Sequence, residues 1–272
     1  MSSKIKVDTI ENVAGSGNVS LGSGHNLVVP GNQTVGGTLG VTGATTTAGI
    51  TSSAAHTVTT STHANASVFK TTGHTQIMLQ DTDATANDQF WGLQNSGGAF
   101  NILTCNDDRA SGFVTPMTID SAGRITTPNR PAFLAYGSPT RDSLSGNVGH
   151  LHSFGRSDGS GYSYNVGSHY NNSTGRFTAP VAGKYFFHGS IYRAQSYSSG
   201  ADQLLAFSKN NDNESNLLST NAVGETYEQI QLSGVFHLDA NDYVNFVIYA
   251  GNGSFTVQGS EPRNFFLGYL LG

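Results

Sequence analysis

Charge is scarce in this sequence. Of 272 residues, 18 are Asp or Glu and 13 are Lys or Arg, so 11% carry charge where globular domains average about 25%. With a net charge of −5 and no clustered basic residues, nothing neutralises a phosphate backbone, which argues against nucleic-acid binding. A single cysteine, Cys105, excludes an intrachain disulfide framework. No apolar run approaches the ~20 residues of a membrane span. The opening MSSKIKVDTIENVAG lacks the apolar core of a secretory signal. Together these features favour synthesis in a reducing cytoplasm. Runs of helix formers are missing as well, whereas 34 glycines stand among abundant Ser, Thr and Asn. That balance predicts an all-β chain.

Aromatic and charged residues are absent from one long stretch. Between Asn12 and Val68 there is no Phe, Tyr, Trp, Asp, Glu, Lys or Arg. One copy of this stretch buries too little apolar surface to offset its conformational entropy, so a disordered linker is one reading. Short units such as NVSLGSG, NLVVPGN and LGVTGA alternate apolar and polar residues before a glycine turn. Such units gain a core by wrapping around identical chains, with Val19, Leu21, Leu27, Val29, Val35, Leu39 and Val41 on a common axis. The sequence is therefore read as an anchoring segment at 1–20 and a thin trimeric shaft of short strands and turns at 21–65.

From 66 to 128 a small β domain is expected, with strands at 68–70, 76–80, 90–94, 99–104 and 113–119 separated by DTDATAND, NSGG and NDDRASG. Phe90, Trp91 and Phe100 are its expected core. The tract TTPNRPAF at 126–133 marks a boundary, and 129–272 carries longer aromatic strands. Ile230, Leu232, Phe236 and Leu238 share one strand face, as do Val244, Phe246 and Ile248, and Tyr185, Phe187 and Ile191. Eight or nine such strands in ~140 residues predict a jelly-roll sandwich.

Chemistry is sparse. There is no H-E-x-x-H, G-x-S-x-G, phosphate-binding glycine loop or paired-cysteine zinc spacing, and no catalytic residue is assigned. His150 and His152 fall on one strand face, where a metal on a threefold axis competes with an ordinary hydrated pair. Asp81, Asp83, Asp107 and Asp108 sit in turns, which Asp favours through local backbone hydrogen bonds. No cofactor and no metal ligand is assigned; calcium at these turns is implied only by the family resemblance of the head given below. Cys105 reads as a small buried hydrophobe. The polar loops of the head combine Tyr with Ser, Gly and Asn, a composition suited to adaptable recognition. Tyr162, Tyr164, Tyr170 and Tyr197 are the candidate receptor contacts.

The run Phe177-Thr-Ala-Pro180-Val-Ala-Gly183-Lys-Tyr185-Phe-Phe187 resembles the F-x-A-P-x-x-G-x-Y-x-F of complement C1q-like globular heads, trimeric jelly rolls related to tumour necrosis factor. Leu238-Asp-Ala-Asn-Asp242-Tyr-Val244 is similar to that family's L-x-x-x-D-x-V, and Phe266-Leu-Gly268-Tyr269-Leu-Leu271 to its closing strand. The opening PAFLAY at 131–136 is similar to its first strand. No collagen-like Gly-X-Y run precedes this head. Instead, SSKIKVDTIEN at 2–12, VTGATTTAGIT at 41–51 and PMTIDSAGRITTPNRPAFLAY at 116–136 resemble fibre proteins of tailed bacteriophages, particularly those of marine cyanobacteria. That resemblance implies a homotrimeric virion fibre. Its N-terminus, with Lys4, Ile5, Val7 and Ile10 as anchoring residues, would hold tail, neck or capsid proteins. Its head would face a bacterial surface receptor, glycan or protein. A capsid or neck decoration without receptor binding is the alternative.

Overall fold

The computed structural model describes residues 72–137, 142–145, 149–151, 154–155, 163–194, 203–211, 217–221, 227–251, 253–259 and 263–272. The anchoring segment and the shaft, with Lys4, Ile5, Val7 and Ile10, lie outside the described residues. Among those described, all regular structure is β-strand, as the turn-rich composition predicts.

The first five strands form one antiparallel meander: β1 (Thr75–Gln80), β2 (Phe90–Ser96), β3 (Ala99–Cys105), β4 (Val114–Ile119) and β5 (Ile125–Thr126), hydrogen-bonded in chain order. The β2–β3 hairpin turns on Gly97 and Gly98, with φ of 58° and 80°. Two consecutive left-handed residues make the type I′ geometry whose twist matches the flanking strands. Apolar residues alternate along each strand, and the register aligns Ile77 with Leu93 and Leu79 with Trp91 across β1 and β2. The rows continue as Leu93–Ile102–Met117. Partners in an antiparallel pair share a face, so one face is apolar almost throughout.

The expectation that Phe90, Trp91 and Phe100 form one core is corrected here. Phe90 is buried, beside Leu103 and Cys105, whereas Trp91 and Phe100 are 49% and 42% exposed. Trp91 and Phe100 share one face and Phe90 points to the other, and among the described residues only the Phe90 face is covered.

The remaining strands build two sheets. One contains β6 (Ala132–Tyr136), β7 (Asp142–Ser145), β9 (Tyr164–Val166), β12 (Gly183–Arg193), β15 (Glu228–Leu238), β17 (Ser254–Val257) and β18 (Phe265–Leu270). Its order is β15-β12-β18-β6-β9, and β7-β17 joins the far end of β12. The other contains β8 (Gly149–Leu151), β10 (Tyr170–Asn171), β11 (Arg176–Thr178), β13 (Leu204–Lys209), β14 (Leu218–Asn221) and β16 (Tyr243–Tyr249). It runs β10-β11-β16-β13-β14, and β8 pairs with the end of β16.

Between them lies one aromatic core. Phe133, Tyr170, Phe177, Tyr185, Phe187, Phe207, Phe246 and Phe266 are all buried in it. Phe133 stacks on Tyr170 at 4.7 Å and on Phe177 at 5.1 Å, and meets Phe266 edge-on at 4.9 Å. The alternation read for Tyr185, Phe187 and Ile191, and for Val244, Phe246 and Ile248, puts these residues inward as expected. The arrangement is a jelly-roll-like sandwich. The junction clasps it, since Arg130 Nη2 donates to the Leu271 carbonyl at 2.6 Å and Leu270 N to the Pro131 carbonyl at 3.0 Å.

Candidate interaction surfaces

The motif residues of 177–187 and 238–244 prove to be scaffold. Phe177, Tyr185 and Phe187 fill the core, and the Tyr185 hydroxyl donates to the Val181 carbonyl at 2.8 Å. Ala179 N donates to the Asp242 carbonyl and Asn241 N to the Ala179 carbonyl, both at 2.8 Å, which ties the loop before β12 to the β15–β16 turn. The Asp242 carboxylate accepts from Lys209 Nζ at 2.5 Å, Asn210 Nδ2 at 2.7 Å and Asp239 N at 2.8 Å. Those hydrogen bonds, led by Lys209, lower its pKa from 3.8 to about 2. Asp242 is thus a turn clamp.

The four candidate receptor tyrosines do not form a cluster. Tyr162 and Tyr197 lie outside the described residues. Tyr170 is 3% exposed, stacked on Phe133, and its hydroxyl accepts from Phe154 N at 3.1 Å. The reading of Tyr170 as a receptor contact is therefore corrected. Its flanking Ser, His and Asn disguise a core strand as a polar loop. Tyr164 is exposed, on β9. Burial of its ring, with a smaller effect from Tyr269, raises its pKa.

Tyr164 belongs to a broader surface, the outward face of the β12 sheet. The register aligns Val235, Phe186, Tyr269, Ala132 and Val166 in one row. Ser233, His188, Leu267, Leu134 and Tyr164 make the next. Phe186 lies 5.3 Å from Tyr269 and His188 5.1 Å from Phe265. Lys184 and His237 stand at one end, and Arg263 lies over Tyr192 at 4.3 Å at the other. Partial burial lowers the pKa of His188, against a smaller opposing backbone hydrogen bond at Leu232. An apolar, aromatic centre with charge only at its margins has the composition of a protein–protein contact.

At the far end of β12, Arg193 is fully buried, with Nη1 3.3 Å from Gln203 Oε1 and Nη2 3.1 Å from Glu228 Oε2. Gln203 in turn donates to the Ser254 carbonyl at 2.8 Å. This network binds β12, β15 and β17 together. Sequence reasoning missed it, because the RAQ run of Arg193 reads as the start of a polar loop.

The aspartates behave as turn residues. Asp108 accepts from Ala110 N, Ser111 N and Ser111 Oγ, and Asp107 accepts from Asn87 N. No group of three or more His, Cys, Asp or Glu that could hold a metal occurs among the described residues. The His150 side chain and all of His152 lie outside the description. Cys105 is buried, and burial raises its pKa, as a small core residue requires.

Residues 151–271 match the family model of the C1q domain. Two solved structures are similar to this chain. The globular domain of zebrafish complement 1qA protein is 16% identical, with 53% of this chain and 98% of that one covered at a TM-score of 0.35. The Eiger TNF of S. frugiperda is 15% identical, with 53% and 94% covered at a TM-score of 0.39. Among curated proteins, none matches. Domains of the C1q and tumour necrosis factor type are typically non-enzymatic binding or structural domains and commonly form trimers.

Proposed function

We propose that this chain is the subunit of a homotrimeric bacteriophage fibre, anchored to the particle by its N-terminus and presenting the C1q-like head to the host cell surface. The observation that carries the reading is a pairing of two deficits. Residues 12–67 lack the aromatic and charged side chains to fold alone, and no described element packs over the aromatic outward face of the β12 sheet. Both deficits are met by identical copies around one axis. Three heads on one shaft present three equivalent surfaces, so weak contacts with a receptor gain from avidity. The resemblances at 2–12, 41–51 and 116–136 supply the virion setting.

One observation favours the alternative of a structural decoration on capsid or neck. Tyr170 is core, and Tyr164 lies on the face assigned to self-contact, so neither offers a receptor surface in the trimer.

Two measurements test the proposal. Gold-labelled antibody against the last residues should mark fibre tips on virions, and unlabelled particles would overturn the virion assignment. Purified full-length protein should bind host cells saturably and block phage adsorption. Labelled tips without binding or blocking would leave the structural reading in its place.

A further inference from the structure

We propose that the apolar face of the β1–β5 sheet is a second contact between copies of this chain, in which each face packs against the same faces of two others about a common axis. The inference takes its stoichiometry from the trimer reading above but concerns a surface outside the C1q-like head. Ile77, Leu79, Trp91, Leu93, Phe100, Val114 and Ile125 all lie on this face and are 39–61% exposed. Ile102, Met117 and Ile119 complete the rows at partial burial.

The opposite face is mixed: Phe90, Leu103 and Cys105 are buried on it, and polar side chains occupy the rest. There, Gln94 Nε2 donates to Gln76 Oε1 at 3.3 Å, Asn101 Nδ2 to Gln94 Oε1 at 3.4 Å, and Thr118 Oγ1 to Asn101 Oδ1 at 2.8 Å. A polar ladder crosses four strands on the face where Phe90, Leu103 and Cys105 are buried, while the other face leaves its large apolar side chains exposed. A contiguous exposed apolar face of this kind marks a contact with another body.

Size and charge select the cover. Trp91 and Phe100, at roughly 150–250 Å² each and about half exposed, leave roughly 150–250 Å² of apolar area between them. Five aliphatic side chains exposed to a similar degree extend the patch to the scale of the largest on a typical monomer, about 300–600 Å², which is often functional. The rows contain no charged residue. In a chain of net charge −5, this face can oppose its own copy without like-charge repulsion. It also offers no charge to select or steer a foreign partner.

Crosslinking of the full-length chain tests the contact. In a Cys105→Ala background, Leu93→Cys puts a thiol on the apolar face, and Gln94→Cys puts one on the polar face of the same strand. With a short bismaleimide, Leu93→Cys, which carries one thiol per chain, should give covalent dimers, and Gln94→Cys should remain monomeric on a denaturing gel. If neither or both crosslink in a chain that sediments as a trimer, this inference fails and the trimer reading stands. If the chain sediments as a monomer, both fail.

Trp91 is the sole tryptophan, so the unmodified protein gives a second reading should a variant not fold. Acrylamide should quench it several-fold less in the trimer than after dissociation. Equal, rapid quenching in both states would overturn the contact. Slow quenching in a folded monomer would do so too, by showing that the chain's own N-terminal segment covers the face.

Discussion

Gly268 sits on β18 opposite Phe187 of β12 and Phe133 of β6. A Cβ there would stand 2.5 Å from Phe187 Cδ1 and 2.9 Å from Phe133 Cε1. Both rings are fully buried and wedged among other aromatics, so neither can swing away. We expect Gly268→Ala to cost about 1–3 kcal/mol by overpacking, seen as an earlier denaturation midpoint at matched protein concentration. Asp242 makes a different residue-scale prediction. Its pKa falls from 3.8 to about 2 on folding, so the unfolded chain binds more protons between those values and stability rises with pH there. The contribution is complete above about pH 4 and is lost as pH falls through about 2. Asp242→Asn should remove roughly 1–2 kcal/mol, allowing for solvent screening, and flatten the acid limb of a stability–pH profile. An unchanged acid limb would show that Asp242 does not clamp the turn.

At the scale of the element, an exposed sheet face has two possible fates, solvent or a partner. Tyr269 stands in the middle of the outward face of the β12 sheet and is 36% exposed. In a lone chain Tyr269→Glu should be nearly neutral, since surface substitutions usually stay within about 0.5 kcal/mol. Enclosed between heads, the same carboxylate would be desolvated without a partner. The expected outcome is a chain with native circular dichroism whose heads no longer associate. A variant that assembles with wild-type stability would clear this face of any part in assembly. Alternation alone made most of these strands legible, from PAFLAY to NFFLGYLL, because a core-facing residue at every second position leaves few other readings. The same signal misled at Trp91 and Phe100. A period of two says which residues share a face but not whether a second layer covers it. At Tyr170 the polar flanks hid a two-residue strand, and short strands such as Asp142–Ser145 and Leu218–Asn221 carry too little pattern to announce themselves.

For the whole molecule, the sequence announces a division of labour. Charge and aromatics vanish from 12–67, return in a one-layer sheet, and concentrate in a sandwich whose core alone holds ten buried aromatic rings. Folding independence rises along the same direction, because buried apolar area per residue sets how well a segment stands alone. The family motifs located the sandwich scaffold well. They did not locate its working surface, since Phe177, Tyr185, Phe187 and Asp242 all serve packing and turn geometry. The working surfaces are the faces left over once the scaffold is satisfied, and register is needed to see them. The proposed fibre requires such a molecule to oligomerise. Sedimentation equilibrium of the full-length chain at micromolar concentration measures that requirement directly. A single species at three times the 28.5 kDa chain mass, persisting on dilution, is the predicted result. A folded, stable species at one chain mass would contradict it.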